Sequence, residues 1–200
     1  MKLIAITQNV FFIKEIKETR DSLDQRWAAF LKRCGILPLL IPNNPLIARN
    51  IISSSKPCGV LLTGGNTLAA YGGNTPERDK TELILVHYAK KNNLPLMGVC
   101  RGMQFIQHIY GIKLRKIKGH VKRRMPILIN NKITTVNSFH RFGTNNSKDA
   151  FHTWAIARDG IVKAIKHRKH PITGIMWHPE RNKPFKTSDI KLFKRIFNAE

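Results

Sequence analysis

Cys100 lies in "GVCRGMQF" (98–105), with Gly98 and Gly102 two residues to either side, where an apolar run gives way to a helical pattern. A cysteine that only packs needs no such setting, because it behaves as a small hydrophobe in most places. A strand running into a sharp turn and then a helix lifts the turn residue off the sheet edge, and small neighbours make room for it. The helix N-terminus beside the sulfur favours thiolate. A second group lies in "GIMWHPER" (174–181), an apolar run leading into His178 and Glu180. Their i, i+2 spacing on an extended chain puts both side chains on one side. The carboxylate then fixes the histidine tautomer and supports an imidazolium. A third piece is "LLTGGN" (61–66), where paired glycines end a strand. With the N–H of Arg101, the N–H of Gly65 is placed to hold an oxyanion. Cysteine, histidine and carboxylate together suit acyl transfer.

Elements must position these residues. Strands are expected over 2–7, 36–42, 59–65 and 94–100, the second on an edge because of its prolines. The spacing of Ile13, Ile16, Leu23, Trp27, Phe30 and Leu31 predicts a helix over 13–34, closed by Gly35. Shorter helical patterns follow at 45–55, 81–93 and 101–111, while 66–80 reads as loop. Beyond 111 come strand candidates at 126–130, 132–138, 152–158, 161–166 and 172–177, a hairpin Asp-Gly at 159–160, and a final helix near 187–198. Alternating strands and helices predict an α/β fold with a parallel sheet covered on both faces, as one domain over 1–200.

Composition adds constraints. The 200 residues are 42% hydrophobic, enough for a sizeable core. The start, "MKLIAITQ", has no secretory pattern, no run approaches a membrane span, and three scattered cysteines spell neither disulfides nor zinc. A cytoplasmic protein without metal or cofactor is expected. Cys34 and Cys58 lack any elbow and read as structural. The net charge is +23, of which residues 101–200 carry +17, with clusters at 113–124 and 163–170. Such a charge raises nucleic acid as a partner. However, no zinc-finger or RNP pattern appears and few aromatics interleave, so solvated faces, or a rim drawing an anionic small substrate, explain it better.

"TGG", "GVCRGMQ" and "WHPE" in this order resemble a class I glutamine amidotransferase domain over nearly the whole chain. "CRG" and "HPER" look more like the free-standing γ-glutamyl hydrolases. "ITQ" (6–8), "LDQRW" (23–27), "VNSFH" (136–140) and "WHPER" (177–181) are similar to the γ-glutamyl-CDP-amidate hydrolases. The resemblance implies a three-layer sandwich with a mostly parallel central sheet, flavodoxin-like. It implies Cys100 as nucleophile, His178 as proton shuttle, Glu180 as its support, and Gly65 and Arg101 as oxyanion donors. It places Gly64, Asn66, Gln104, Asn137, Ser138, Phe139 and His140 around the glutamyl group. Arg26 or Trp27, in a helix motif with Asp24, would then meet the leaving group.

The implied reaction releases glutamate from a γ-glutamyl amide or phosphoramidate. The first expectation is γ-glutamyl-CDP-amidate, giving cytidine diphosphoramidate for capsular polysaccharide. A γ-glutamyl-GABA-type substrate is the alternative, as is a glutaminase subunit feeding a separate partner. A nucleic-acid-binding protein comes third, since it leaves the triad unexplained.

Overall fold

The computed structural model describes residues 1–199. The chain opens with β1 (Lys2–Thr7), then a hairpin of β2 (Asn9–Ile13) and β3 (Glu18–Ser22), and α1 (Arg26–Arg33). There follow β4 (Ile36–Ile41), α2 (Pro45–Ser55), β5 (Val60–Leu62), α3 (Pro76–Lys91), β6 (Leu96–Val99) and α4 (Arg101–Ile109). The second half supplies β7 (Arg115–Lys116), β8 (Val121–Ile129), β9 (Lys132–Phe139), β10 (Phe142–Gly143), β11 (Phe151–Ala157), β12 (Val162–His167), β13 (Ile172–Ile175) and α5 (Thr187–Phe197).

One nine-stranded sheet runs β4-β1-β5-β6-β13-β12-β11-β8-β9. Its first five strands are parallel neighbours, and the rest pair antiparallel. Alternation along the strands sorts the core into two faces. Ile4, Ile6, Leu61, Met97 and Val99 pack with Trp27, Phe30 and Phe193 beneath α1 and α5. Ala5, Val60, Leu62 and Leu96 pack with Ile52, Leu85 and Ile106 beneath α2, α3 and α4. Each large apolar side chain buried this way contributes about 1.5–3 kcal/mol. The result is the expected α/β sandwich in three layers, with β4 at the edge.

Two expectations are corrected. The predicted helix over 13–34 is helical only from Arg26; residues 9–22 form the β2–β3 hairpin. Val10, Phe11, Phe12 and Ile13 are β-branched or aromatic, which suits a strand, and Lys17 turns the chain at φ +53°. The hairpin is held from outside: Asn43 Nδ2 donates to Asp21 Oδ1 at 2.6 Å, and Val10 N–H donates to Asn66 Oδ1 at 2.9 Å. The segment 66–80, expected as loop, contains the first turn of α3, because Pro76 suits the start of a helix. That turn carries two of the charged residues that brace the site.

Candidate active site

Because β1, β5, β6 and β13 are parallel neighbours, their C-terminal ends open on one edge of the sheet. The 63–66 loop follows β5, Cys100 follows β6, and His178 follows β13 after two residues. Adjacent strands thus bring together three segments widely separated in sequence.

Cys100 sits between β6 and α4 at φ +52°, ψ −104°, a conformation costing about 1–3 kcal/mol for a residue with a side chain. Its N–H donates to Ile175 O at 2.7 Å, which ties the turn to β13. The flanking glycines are required by close approach: a Cβ on Gly98 would lie 2.6 Å from the Gly102 backbone, and one on Gly102 would lie 2.2 Å from Leu62 O. At Gly64 a Cβ would meet His178 Cε1 at 2.6 Å and Cys100 Cβ at 3.4 Å. The loop, the cysteine and the histidine are therefore in contact.

His178 Nδ1 donates to Glu180 Oε1 at 2.7 Å, with both residues buried. Nε2 is left for Cys100, whose Cβ and the ring Cε1 both lie against Gly64. Burial pushes the Cys100 thiol up, but the charge and hydrogen bond of His178 outweigh it, and the thiol lies below its ordinary value. Burial pushes His178 down, while Cys100 and Glu180 raise it further, to about 9. The two shifts share one cause, since each group favours the charged form of the other. Cys34, in contrast, is pushed up to about 12 by burial, and Cys58 donates to Leu3 O at 3.3 Å. Neither has a partner that would activate it.

The N–H groups of Gly65 and Arg101 have no hydrogen-bond partner among the described residues, so both are free for a ligand. Gly65, at φ +83°, leaves no room for a side chain beside Asn9. What shapes its loop is Arg78, a residue that no motif in the sequence singles out. This fully buried guanidinium donates to the carbonyls of Gly65 at 3.2 Å, Thr63 at 3.1 Å and Gly64 at 2.9 Å. With three successive carbonyls held on one side, the loop N–H groups are free to face the other. Arg78 Nε also donates to Glu82 at 3.0 Å, and the other oxygen of Glu82 pairs with Arg101, which pairs in turn with Asp79. One carboxylate thus joins the loop after β5 to the elbow after β6. The available signal is an Arg and a Glu spaced i, i+4 in "PERDKTEL".

Cys100 lines a cleft of about 1040 Å³ together with Gly65, Asn66, Arg101, Gln104, Phe139 and His140. Gln104 Nε2 donates to Phe142 O at 2.9 Å, and its Oε1 accepts no hydrogen bond among the described residues. Several implied substrate contacts are already occupied within the protein. Asn66 exchanges two hydrogen bonds with the backbone of Val10, each 2.9 Å. Asn137 grips the His178 backbone, and Ser138 donates to His120 O at 2.8 Å. His140 Nδ1 donates to Phe142 O at 2.8 Å, and Nε2 accepts from Lys163 at 2.6 Å. Burial holds His140 neutral, down to about 3. These four side chains position the site, and their hydrogen bonds are spent. Phe139 lines the cleft and packs edge-on to His178 at 6.0 Å.

Arg26, expected to meet the leaving group, is placed away from the cleft lining. It pairs with Asp24 at 2.5 Å on α1, while Trp27 is core. α1 packs instead behind the 179–181 turn. The first basic cluster does reach the cleft, through Lys116 and Lys118. The second does not, although its Lys163 is buried beneath Ser138 and His140. No helix among the described residues is long and apolar enough to cross a membrane.

Comparison with known proteins matches residues 16–197 to the glutamine amidotransferase class-I family. A γ-glutamyl-CDP-amidate hydrolase from Campylobacter jejuni is 28% identical over 202 residues, covering 98% of this chain and 97% of that one. Anthranilate synthase component 2 from Saccharolobus solfataricus is 25% identical over 183 residues, covering 82% and 88%. Among solved structures, the glutaminase domain of the Trypanosoma brucei CTPS superposes with a TM-score of 0.72 at 12% identity, covering 100% of this chain and 95% of that one.

Proposed function

The chain belongs to the glutamine amidotransferase class-I family, and from that premise we propose that it is a free-standing cysteine hydrolase that releases glutamate from a γ-glutamyl amide or phosphoramidate. The observation that carries this reading is Cys100 on its elbow, meeting across Gly64 a histidine whose Nδ1 is given to Glu180.

In the proposed mechanism the thiolate of Cys100 attacks the γ-carbonyl, and the oxyanion forms between the N–H groups of Gly65 and Arg101. The His178 imidazolium protonates the departing nitrogen, and a γ-glutamyl thioester remains. Water then attacks the thioester, giving its proton to neutral His178, and the thiolate departs as glutamate is released. Glu180 holds the imidazole in the needed tautomer throughout. Gln104 Oε1 is an acceptor facing the glutamyl α-ammonium group. The substrate we propose first is γ-glutamyl-CDP-amidate, in the synthesis of a capsular phosphoramidate. Similarity to the Campylobacter protein over almost the full length of both chains supports this choice.

One observation favours a second reading, a glutaminase subunit with a separate partner. The hairpin that starts beside the 63–66 loop exposes Phe11 and Phe12 at 55% and 58%. A partner could bury them.

Glutamate release from γ-glutamyl-CDP-amidate, L-glutamine and γ-glutamyl-GABA separates these readings, with Cys100→Ala as the blank and Cys34→Ala expected to remain active. Turnover of the nucleotide substrate supports the hydrolase. Activity confined to glutamine and awakened by a partner moves the assignment to the glutaminase reading. No release from any γ-glutamyl compound, with the partner present as well as without it, overturns both.

A further inference from the structure

The lining of the cleft contains no aspartate or glutamate, yet it includes Lys116, Lys118 and Arg141. Local structure gathers these three cations. β7 and β10 pair antiparallel with Lys116 opposite Phe142, and Ile117 N–H donates to Arg141 O at 2.9 Å. The strand ends at Lys116 and the chain bends at Lys118, and both lysines line the cleft. Ile117, between them, also lines the cleft and packs toward Gly143, where a Cβ would lie 2.8 Å from its Cδ1. None of the three cations pairs with a carboxylate among the described residues. Asp159, the acid at this wall, is taken by His120 at 2.8 Å.

Like charges gathered with no counter-ion repel one another, and a concave site strengthens the field they share. Solvation of a convex face would explain scattered lysines, but these share a cleft with the reactive cysteine. The cleft is also too large for a glutamyl group alone, since volumes near this one accommodate drug-sized ligands. Tyr71 adds an aromatic surface in the same cleft, its ring centroid 5.5 Å from that of Phe142.

We infer that Lys116, Lys118 and Arg141 form a phosphate subsite that binds the leaving group, so that the amine or amidate expelled from the γ-glutamyl carbonyl carries one or more phosphates. Two ammonium groups give non-directional attraction, and the guanidinium gives a planar fork that matches phosphate oxygens. The inference depends on the hydrolase reading only for the bond that is cut; anion binding is a property of the cleft itself.

The test is a calorimetric titration of Cys100→Ala with CDP, with inorganic pyrophosphate and with citrate as a non-phosphate polyanion. Each titration is repeated with Lys116→Met/Lys118→Met added, and with Lys166→Met/Lys169→Met added as a pair of equal charge loss outside the cleft. CDP or pyrophosphate should bind more tightly than citrate. Binding should weaken about tenfold or more with the cleft pair and less than about twofold with the outer pair. CDP binding well above pyrophosphate assigns the rest of the cleft to a nucleoside; equal binding restricts the subsite to phosphate alone. In otherwise wild-type protein, the cleft pair should also lower the ratio of kcat/KM for γ-glutamyl-CDP-amidate to that for L-glutamine. Equal losses in both pairs, or binding no better than citrate, would overturn the subsite. Absence of all γ-glutamyl turnover would instead remove the hydrolase, and the titration would still decide the subsite.

Discussion

Asn137 clasps the backbone of His178 from both sides: its Nδ2 donates to His178 O, and its Oδ1 accepts from His178 N–H, each at 2.8 Å. One amide on β9 thereby fixes the chain that leaves β13, across 41 residues of sequence. Truncation to alanine strands the buried His178 N–H, at about 1–3 kcal/mol, while His178 O keeps the N–H of Arg181. Asn137→Ala should lower thermal stability and reduce glutamate release by roughly 10–100-fold through displacement of the imidazole. Asn137→Asp keeps the acceptor and loses the donor, so it should fall between. Wild-type turnover in the alanine variant would show that the clasp does not position His178.

The raised proton affinity of His178 depends on Cys100. Burial opposes it, and the thiolate and Glu180 overcome that opposition. In Cys100→Ala the imidazole should titrate clearly below the value of about 9, as read from its NMR ring-proton shifts. Linkage gives the sign. A histidine raised from 6.5 to about 9 adds stability that is full below pH 6.5 and is lost as pH rises toward 9. The lowered Cys100 thiol contributes with the opposite sign, so the pair together carries less pH dependence than His178 alone, and the direct check is the His178 titration. An unchanged His178 titration in the variant would exclude the ion pair.

Arg78 meets three successive carbonyls of the 63–66 loop, and lysine cannot span them from one nitrogen. Arg78→Met should destabilise the fold by about 3–5 kcal/mol, because it leaves Glu82 short of a partner inside the core. Arg78→Lys retains the charge. It should fold and lose tenfold or more in kcat, with KM less affected, if the loop N–H groups act on the transition state. Full kcat in Arg78→Lys would mean that the loop holds its shape unaided.

Lys163 is buried to 1% exposure, with Ser138 Oγ at 3.0 Å and His140 Nε2 at 2.6 Å as its partners. Burial lowers its affinity for the proton from 10.5 to about 8. Between these values the unfolded chain binds the extra proton, so this residue makes stability rise with pH from about 8 to 10.5. Lys163→Met should remove that component, as a flatter difference between urea midpoints at about pH 8 and about pH 10. The same slope in both proteins would rule out titration of Lys163 in the fold.

Local chemistry makes part of the protein legible. Gly98 and Gly102 around Cys100 announce a turn without room for side chains, and short apolar runs ending in glycine announce buried strands. The helix expected over 13–34 fails because Ile13 and Ile16 match a helical period by accident. The strand preference of Val10 to Ile13, and a partner strand at Glu18–Ser22, decide otherwise. "PERDK" reads as loop because its charges look solvated in one dimension. In three, Arg78 and Glu82 are buried and each meets its opposite charge. Lys163 is hidden similarly, buried inside a basic run whose Lys166, Arg168 and Lys169 are exposed.

The sequence by itself determined the elbow at Cys100, the pairing of His178 with Glu180 and the glycine-ended strand before Gly65, because each depends on residues at most a few positions apart. Only the tertiary structure decided that these three meet. Parallel register of β5, β6 and β13 puts their ends on one edge, and no local pattern specifies register between distant strands. The same holds for the wall of Lys116, Lys118 and Arg141, and for the side chains that proved to be braces. Whether a polar group is free for a ligand depends on the atoms packed around it, which for Arg78 come from as far as 69 positions away.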